Sequence, residues 1–143
     1  FQLQHQLEPE KDISDLAFVL ENLPEKFEQI YLLGFLGGRR DHELMNWAEV
    51  HRCLQMTKTA RVFFFDKVLQ AFSKGQWSMT VSGTFSLFAF EPCDLKLTGE
   101  CRYKIDGSSS LKALSSQGLS NEGYGEIKIS TSHPVFLFHS LDA

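Results

Sequence analysis

The sequence predicts a fold in two parts, an α/β part followed by an all-β part. In the first half, continuous apolar runs alternate with segments of helical periodicity, which is typical of a parallel α/β layer. From Val68 onward the helical period disappears, and short alternating stretches are separated by Gly and Ser. Such strands with turn signals indicate an antiparallel β-sandwich or barrel. We therefore predict two domains, residues 1–67 and 68–143.

Composition narrows the class of protein. The chain has 143 residues, of which 43% are hydrophobic and 22% are charged, as in an ordinary globular protein. A net charge of -4 argues against a general nucleic-acid or membrane-surface protein, so a bound anion would need a local cluster of cations. The three cysteines include no CxxC pair and indicate reduced thiols in a cytoplasmic protein. No apolar run of 18 residues and no signal peptide is visible, so we expect no membrane span.

An amphipathic helix of about three turns is predicted after a polar lead-in at residues 1–11. Asp12 or Ser14 can cap its N-terminus, and Pro24 follows its end. Asp12 and Asp15 lie three apart, so both carboxylates can point the same way. Two acids at this position are more often simple partners of the helix dipole than a metal site. The apolar positions at helical spacing are Leu16, Val19, Leu20 and Leu23.

The stretch Gln29–Asn46 has the order of an anion-binding site. It opens with an apolar run, Ile30–Leu33, which predicts a strand buried on both faces. Glycines follow, which let backbone N–H groups approach a ligand, and Asp41 is expected to cap a helix whose N-terminus is partly positive. Two arginines, a carboxylate and an imidazole lie at the same turn. The residues concerned are Gly34, Gly37, Gly38, Arg39, Arg40, Asp41 and His42.

The helix after this turn is predicted from about His42 to Met56. We interpret His51, near its apolar face, as a histidine at the edge of the core, and Trp47 as a core residue. Residues 61–66 then form a second strand buried on both sides, and ligands bind beyond the carboxyl ends of such parallel strands. The apolar stripe of the helix contains Leu44, Trp47, Ala48 and Leu54.

Seven short strands are predicted in the all-β part, with one polar loop between the fifth and the sixth. The loop, Leu114–Glu122, is rich in hydroxyl and amide groups. It is either a plain surface loop or a set of neutral hydrogen-bonding groups for a heterocycle, and local chemistry does not decide between the two. The strands are Val68–Phe72, Gln76–Val81, Thr84–Phe90, Asp94–Thr98, Glu100–Ile105, Gly125–Ser130 and Val135–His139.

Three stretches together resemble the thiamine pyrophosphokinase family. Glu10–Asp15 (EKDISD) resembles the family's KDxTD element, with Ser14 in place of Thr. Leu33–Asn46 (LGFLGGRRDHELMN) resembles its GxxGGRxDH element, the most specific of the three, and Leu114–Glu122 (LSSQGLSNE) resembles its SSxGLSNE element. Their order and spacing also match. The resemblance implies a partial parallel α/β nucleotide-binding layer followed by an antiparallel β-sandwich that binds thiamine.

The resemblance also implies an activity, namely Mg²⁺-dependent transfer of pyrophosphate from ATP to thiamine, which gives thiamine diphosphate and AMP. Members are homodimers with active sites shared between subunits, and no nucleic acid or membrane partner is expected. The implied roles fall into three groups. The catalytic acids would be Asp12, Asp15 and Asp41, with Asp12 and Asp15 holding Mg²⁺; Lys11, Gly37, Gly38, Arg39 and His42 would bind the nucleotide and its phosphates; Ser116, Ser120 and Asn121 would bind thiamine.

One element of the family has no counterpart here. The acidic GDxDS element, which precedes KDxTD in the family, resembles nothing in residues 1–10. Two expectations follow: the chain is the C-terminal two-thirds of such a kinase, or it is a truncated or divergent domain that binds thiamine or nucleotide without catalysis. A plain β-sandwich interaction module with an α/β appendage is a third, weaker alternative.

Overall fold

A computed structural model describes residues 12–24, 27–64 and 69–139 of the chain. Within these ranges the protein has two α-helices, a short 3-10 helix at Ser116–Gly118, and eight strands in one mixed sheet. The elements are α1 (Asp15–Glu21), β1 (Gln29–Leu32), α2 (Arg40–Met56), β2 (Arg61–Phe64), β3 (Leu69–Phe72), β4 (Gly75–Phe88), β5 (Cys93–Cys101), β6 (Ile105–Leu111), β7 (Asn121–Thr131) and β8 (Val135–His139).

The sheet runs continuously through both predicted parts of the chain, in the order β1-β2-β3-β8-β4-β7-β5-β6. The parallel pairing predicted for the first part is present between β1 and β2, where Gln29 lies opposite Arg61. The other strand pairs are antiparallel. The protein is therefore mostly β, with one hydrogen-bonded sheet joining the two parts. Residues 65–68 lie outside the described ranges, so the boundary at 67/68 stays a prediction.

Two hydrophobic clusters pack on this sheet. One joins α1 and α2 to β1, β2 and part of β3, and the other fills the antiparallel part. Strands β3 and β8 supply both, because successive side chains of a strand point to opposite faces. Thus Ala71 and Phe136 belong to the first cluster, whereas Phe72 and Leu137 belong to the second. The helical layer is fixed to the sheet through these shared strands.

Helix α1 is shorter than its pattern predicted. It has seven residues, from Asp15 to Glu21, and Ser14 caps it by accepting a hydrogen bond from the Ala17 N–H at 3.1 Å. The structure thus selects Ser14 over Asp12 as the cap. Leu16 and Leu20 are buried, as their spacing indicated.

Helix α2 begins at Arg40, two residues before its predicted start, and ends at Met56 as expected. Its buried residues are Val50, His51 and Leu54, whereas Leu44, predicted to lie on the apolar stripe, is 49% exposed. Trp47 is half-buried against Phe88 and Phe138, so it is a packing residue, as predicted.

The two apolar strands before Phe65 are not buried on both faces, contrary to the prediction. Along β1 only Leu32 is buried, and Tyr31 is 63% exposed. On the more exposed face, Tyr31 stacks on Phe63 with ring centroids 4.9 Å apart, and the guanidinium of Arg61 lies 4.4 Å from the Phe63 centroid. Aromatic stacking therefore covers a face that we expected to lie inside a layered core.

The all-β part has fewer and longer strands than predicted. The strands predicted at Gln76–Val81 and Thr84–Phe90 are one strand, β4, because β7 pairs with it continuously past Gly83. Cys93–Cys101 is likewise one strand, so the predicted strand Glu100–Ile105 is wrong and contains a turn. The Ser-rich β6 was missed because its five central residues are Asp, Gly and Ser, which show no alternation of apolar and polar positions. Strand β8 has its predicted bounds. In the described ranges neither helix has the length and apolar character needed to span a membrane.

Candidate functional site

The loop between β1 and α2 is built on glycines with positive φ. Gly34, Gly37 and Gly38 have φ values of 77°, 79° and 74°, a region that L side chains rarely adopt. No atom lies within 4 Å of the position that a Cβ would take at any of them. The glycines are thus required by backbone conformation and leave the space on their Cβ side open.

Arg39 and Asp41 form an ion pair at the start of α2. Arg39 donates from Nε to Oδ1 of Asp41 at 3.1 Å and from Nη2 to Oδ2 at 2.6 Å. These hydrogen bonds lower the pKa of Asp41 to about 2, so the carboxylate is charged at neutral pH. Arg39 is also the N-cap residue of the helix, without a side-chain capping bond. The prediction that Asp41 caps α2 is therefore wrong, because its carboxylate is held by the guanidinium.

Two residues that sequence reasoning did not single out hold the loop against α2. The Gly37 N–H donates to Oε2 of Glu43 at 3.2 Å, and Nδ2 of Asn46 donates to the Phe35 carbonyl at 3.0 Å. Glu43 and Asn46 both lie within the first two turns of the helix, and their partners lie in the loop. The spacing of these polar residues along α2 was the available signal, since positions three or four apart share a helix face.

A cavity of about 500 Å³ lies where α1, the glycine loop and α2 meet. It brings together four of the predicted site residues, Asp15, Gly37, Arg39 and His42, whereas Gly38 is not part of its lining. Asp12 and Asp41 do not line it; Asp41 instead holds Arg39. Lys11 lies outside the described residues. The full lining is Ser14, Asp15, Leu16, Gly34, Phe35, Gly37, Arg39, His42 and Asn46.

The donor set of this cavity suits an anion with a hard cation. Arg39, the Gly37 backbone and His42 offer hydrogen-bond donors or charge to phosphate oxygens. Asp15 offers carboxylate oxygens, which Mg²⁺ accepts in ones or twos when phosphate supplies the rest of its ligands. Among the described residues no group of three acidic, His or Cys side chains could hold a metal alone. The residues therefore fit Mg²⁺ that arrives with a phosphate, and they do not form an independent metal site.

The polar loop before β7 is tightly fixed. Ser120 has a φ of 59°, and its N–H donates to Oγ of Ser86 at 3.0 Å. Gly118 lies so close to β4 that an added Cβ would be 2.2 Å from the Leu87 carbonyl oxygen. Ser116 begins the 3-10 helix and is exposed. The loop is therefore an ordered part of the fold, with Ser116 and Ser120 at its surface.

Asn121 is a buried anchor of this loop, 7% exposed. Its Oδ1 accepts from the N–H groups of Tyr103 and Glu122 at 3.0 and 2.8 Å, and its Nδ2 donates to the Tyr103 carbonyl at 2.6 Å. Three of its four hydrogen-bonding positions are thus used within the chain, and one N–H remains for other contacts.

The structure does not bring the two predicted halves of the site into one cavity. Every residue that lines the glycine-loop cavity lies between positions 14 and 46, and none of Ser116, Ser120 and Asn121 is among them. The residues predicted to bind phosphate and those predicted to bind thiamine therefore do not share this cavity within one chain.

His51 belongs to a different cluster, which fixes α2 to the turns of the antiparallel part. Its Nε2 lies 3.0 Å from Oε2 of Glu91, and Nε2 of His133 lies 3.2 Å from the other carboxylate oxygen. Gln55 also donates to Glu91. Burial lowers the pKa of His51, and it outweighs the opposing effect of Glu91. The interpretation of His51 as a histidine at the edge of the core is confirmed, since it is 8% exposed.

Comparison with solved structures identifies the fold. Thiamine pyrophosphokinase from Bacillus subtilis superposes with a TM-score of 0.71 at 22% identity, over 93% of this chain and 65% of that one. Thiamin pyrophosphokinase from Geobacillus thermodenitrificans gives a TM-score of 0.68 at 20% identity, over 94% of this chain and 64% of that one. The Candida albicans protein gives 0.62 at 16% identity, over 82% and 46%. No protein-family model matches the sequence, and a search of curated proteins finds no match.

The chain therefore has the fold of the thiamine pyrophosphokinases, and the resemblance carried by the three motifs is confirmed at the level of the fold. It spans slightly less than two thirds of the length of the Bacillus subtilis protein, 65%.

Proposed function

We propose that this chain carries the phosphate- and thiamine-binding parts of a thiamine pyrophosphokinase. The reaction is transfer of pyrophosphate from ATP to the hydroxyethyl arm of thiamine, which gives thiamine diphosphate and AMP. The observation that carries the proposal is the cavity of about 500 Å³ whose lining includes a carboxylate, an arginine and two glycines with positive φ. Phosphoryl transfer depends on positioning and charge neutralisation more than on a covalent catalyst, and these groups supply both.

The glycine loop is proposed to hold the polyphosphate. Gly37 and Gly38 lie just before Arg39, the N-cap residue of α2, at a helix N-terminus that favours negative charge. The space on the Cβ side of both glycines is open, and the Gly37 N–H donates to Glu43. Arg39 keeps donors free for phosphate after its two bonds to Asp41, because a guanidinium has five N–H groups. We assign Asp41 to positioning Arg39 and His42 to hydrogen bonding within the same cavity.

The acidic groups at the start of α1 are proposed to face the phosphates across the cavity. Asp15 lines it, and Asp12 precedes the cap residue of the same helix. Bound Mg²⁺ would neutralise charge on the transferring phosphates. Asp15, and Asp12 with it, would hold that ion beside Arg39, and either carboxylate can accept the proton of the thiamine hydroxyl.

Thiamine is proposed to bind at the fixed loop before β7, in a site completed by a second copy of the chain. Ser116 and Ser120 present hydroxyl groups at its surface, and Asn121 retains one N–H. The glycine-loop cavity contains none of these three residues. In a homodimer, the cavity of one subunit and the loop of the other can together hold one ATP and one thiamine. The β-sandwich arrangement of the antiparallel part and a cytoplasmic location, suggested by three free thiols, belong to the same proposal.

Replacing Arg39 tests the phosphate site. For Arg39→Ala we expect ATP–Mg²⁺ binding, measured by calorimetry, to weaken ten- to a hundredfold, because a charge-assisted contact of about 1.5–3 kcal/mol is lost. Arg52→Ala is the matched control, since Arg52 lies on the same helix and pairs with Glu49 away from the cavity. Equal affinities of the two variants would contradict the assignment of the loop.

Mixing variants tests the shared site. The Arg39→Ala and Ser120→Arg variants should each be inactive alone. When they are mixed, a dimer with one chain of each contains one intact site, so AMP release should return. Sedimentation of the unmodified protein gives the subunit number as a control. The shared arrangement would be refuted if the protein is a monomer. It would also be refuted if the parent is active and the mixture recovers no activity.

Binding without turnover is the second candidate function. It is favoured by the cavity lining, which includes one carboxylate, Asp15. An assay of AMP release in parallel with thiamine and ATP–Mg²⁺ titrations separates the two. Saturable binding of both ligands without AMP would support the non-catalytic alternative, and binding of neither would reject both.

A further inference from the structure

The anion-binding loop already contains an anion from its own helix. Glu43 is the fourth residue of α2, and its Oε2 accepts the Gly37 N–H at 3.2 Å. Gly37 lines the cavity and needs its positive φ to present that N–H. A carboxylate oxygen and a phosphate oxygen are both acceptors for such a donor. Glu43 thus occupies the Gly37 N–H, which is one of the groups proposed to bind phosphate.

Asp41 and Glu43 are not equivalent in this respect. Asp41 accepts hydrogen bonds from two N–H groups of Arg39. A guanidinium has five N–H groups, so Arg39 can also donate to a phosphate while it stays bound to Asp41. The Gly37 backbone offers a single N–H, and Glu43 holds it. A phosphate oxygen that binds this N–H must therefore displace Glu43. The negative charge of Glu43 also opposes a phosphate at this distance.

We propose that Glu43 is an internal competitor of the phosphate ligand, which lowers the affinity of the glycine loop for polyphosphate. The inference rests on the proposed function, because it deepens the same site. Binding requires the loop conformation in which the Gly37 N–H is released. The measured dissociation constant is therefore the intrinsic one divided by the fraction of molecules in which this N–H is released. Glu43 consequently sets the affinity of the loop, and it also fixes the loop when Gly37 is not bound to a ligand.

Glu43→Gln and Glu43→Ala test the competition. The amide oxygen of Gln still accepts the Gly37 N–H, but more weakly than a carboxylate does, whereas Ala releases it. We expect ATP–Mg²⁺ and inorganic pyrophosphate to bind about twofold to fivefold more tightly to Glu43→Gln than to the parent. Their affinity for Glu43→Ala should be equal to or higher than their affinity for Glu43→Gln. Glu49→Gln is the matched control: it makes the same charge change on the same helix, where Glu49 pairs with Arg52. Its affinity should stay within about twofold of the parent, since screening weakens distant charges.

The amide resonance of Gly37 gives a second measurement. Both Glu43 variants should shift it without ligand, and pyrophosphate should shift it further in parent and variants. If the parent binds pyrophosphate and the Glu43 variants bind it equally or more weakly, the inference is overturned and the proposed function stands. Binding by the variants alone would support it. Absence of binding by parent and variants, with melting curves showing folded proteins, would overturn both.

Discussion

The buried imidazole of His51 makes the stability of this protein acid-sensitive. Its Nε2 faces a carboxylate oxygen of Glu91 at 3.0 Å, so that nitrogen carries the proton of the neutral ring. Its Nδ1 is buried without a hydrogen-bond partner among the described residues. A second proton would have to be placed on this Nδ1, where nothing accepts it, and burial accordingly lowers the pKa of His51.

The sign of the pH effect follows from that direction. Because the folded protein binds the His51 proton less readily than the unfolded chain, the unfolded state takes up more protons as the pH falls. The stability from neutral His51 is complete above the unfolded value of about 6.5 and is lost as the pH falls towards the folded pKa. One group of this kind changes the free energy of unfolding by at most about 1.4 kcal/mol per pH unit.

His51→Gln should remove this dependence while keeping a donor for Glu91, because the amide nitrogen of Gln takes the place of Nε2. At pH 7.5 we expect a loss of about 1 kcal/mol, since the ring contact with Phe90 at 5.3 Å disappears. By pH 5.5 the difference between parent and variant should shrink towards zero, because only the parent pays for protonation.

Urea unfolding at pH 7.5, 6.5 and 5.5 measures these free energies. His139→Gln is the control, since His139 lies at the end of β8 and contacts the Ser82 carbonyl, far along the sequence from α2. Its pH profile should stay close to that of the parent. An identical pH slope for the parent and for His51→Gln would refute the assignment of the acid sensitivity to this ring.

Three further outcomes are expected from local geometry. Gly118→Ala should destabilise the fold by about 1–3 kcal/mol in urea unfolding, because its Cβ would be 2.2 Å from the Leu87 carbonyl oxygen; unchanged stability would show that β4 and the loop can separate freely. Asn121→Ala should lower the free energy of unfolding by about 2–3 kcal/mol, because it leaves the Tyr103 and Glu122 N–H groups without their acceptor. A loss below roughly 0.5 kcal/mol, the limit for surface changes, would contradict this. Cys101, whose thiol pKa is raised by burial, should react with a disulfide reagent at neutral pH far more slowly in the native protein than in urea; equal rates would exclude that burial.

Much of the α/β part could be predicted, because its signals are local. The end of α2 at Met56 and the parallel pairing of β1 with β2 follow from helical periodicity and apolar runs. Capping chemistry narrowed the cap of α1 to Asp12 or Ser14, and the structure shows Ser14. The start of α2 could not be predicted from capping preference alone. Asp41 has a high N-cap preference, but its ion pair with Arg39 takes its carboxylate, and the helix extends one residue before it.

The strands of the all-β part were predicted less well because pairing, and not local pattern, sets their length. Ser82 and Gly83 are turn residues by type, yet β7 pairs along both, and β4 continues through them. Strand β6 looks like a loop in sequence, since its five central residues are Asp, Gly and Ser and all of them are exposed at the edge of the sheet. Each of these differences arises from contacts between residues distant in the chain.

The sequence by itself determined the inventory of the candidate site: glycines, arginines, a carboxylate and an imidazole at one turn, acids at a helix start, and a polar loop. These depend on backbone preferences and charges within a few residues of one another. Only the tertiary structure decided which of them meet. It placed Asp15 beside Gly37, Arg39 and His42, and it gave the Gly37 N–H to Glu43. Distances across a fold depend on how helices pack on a sheet, and no local pattern in the chain encodes that packing.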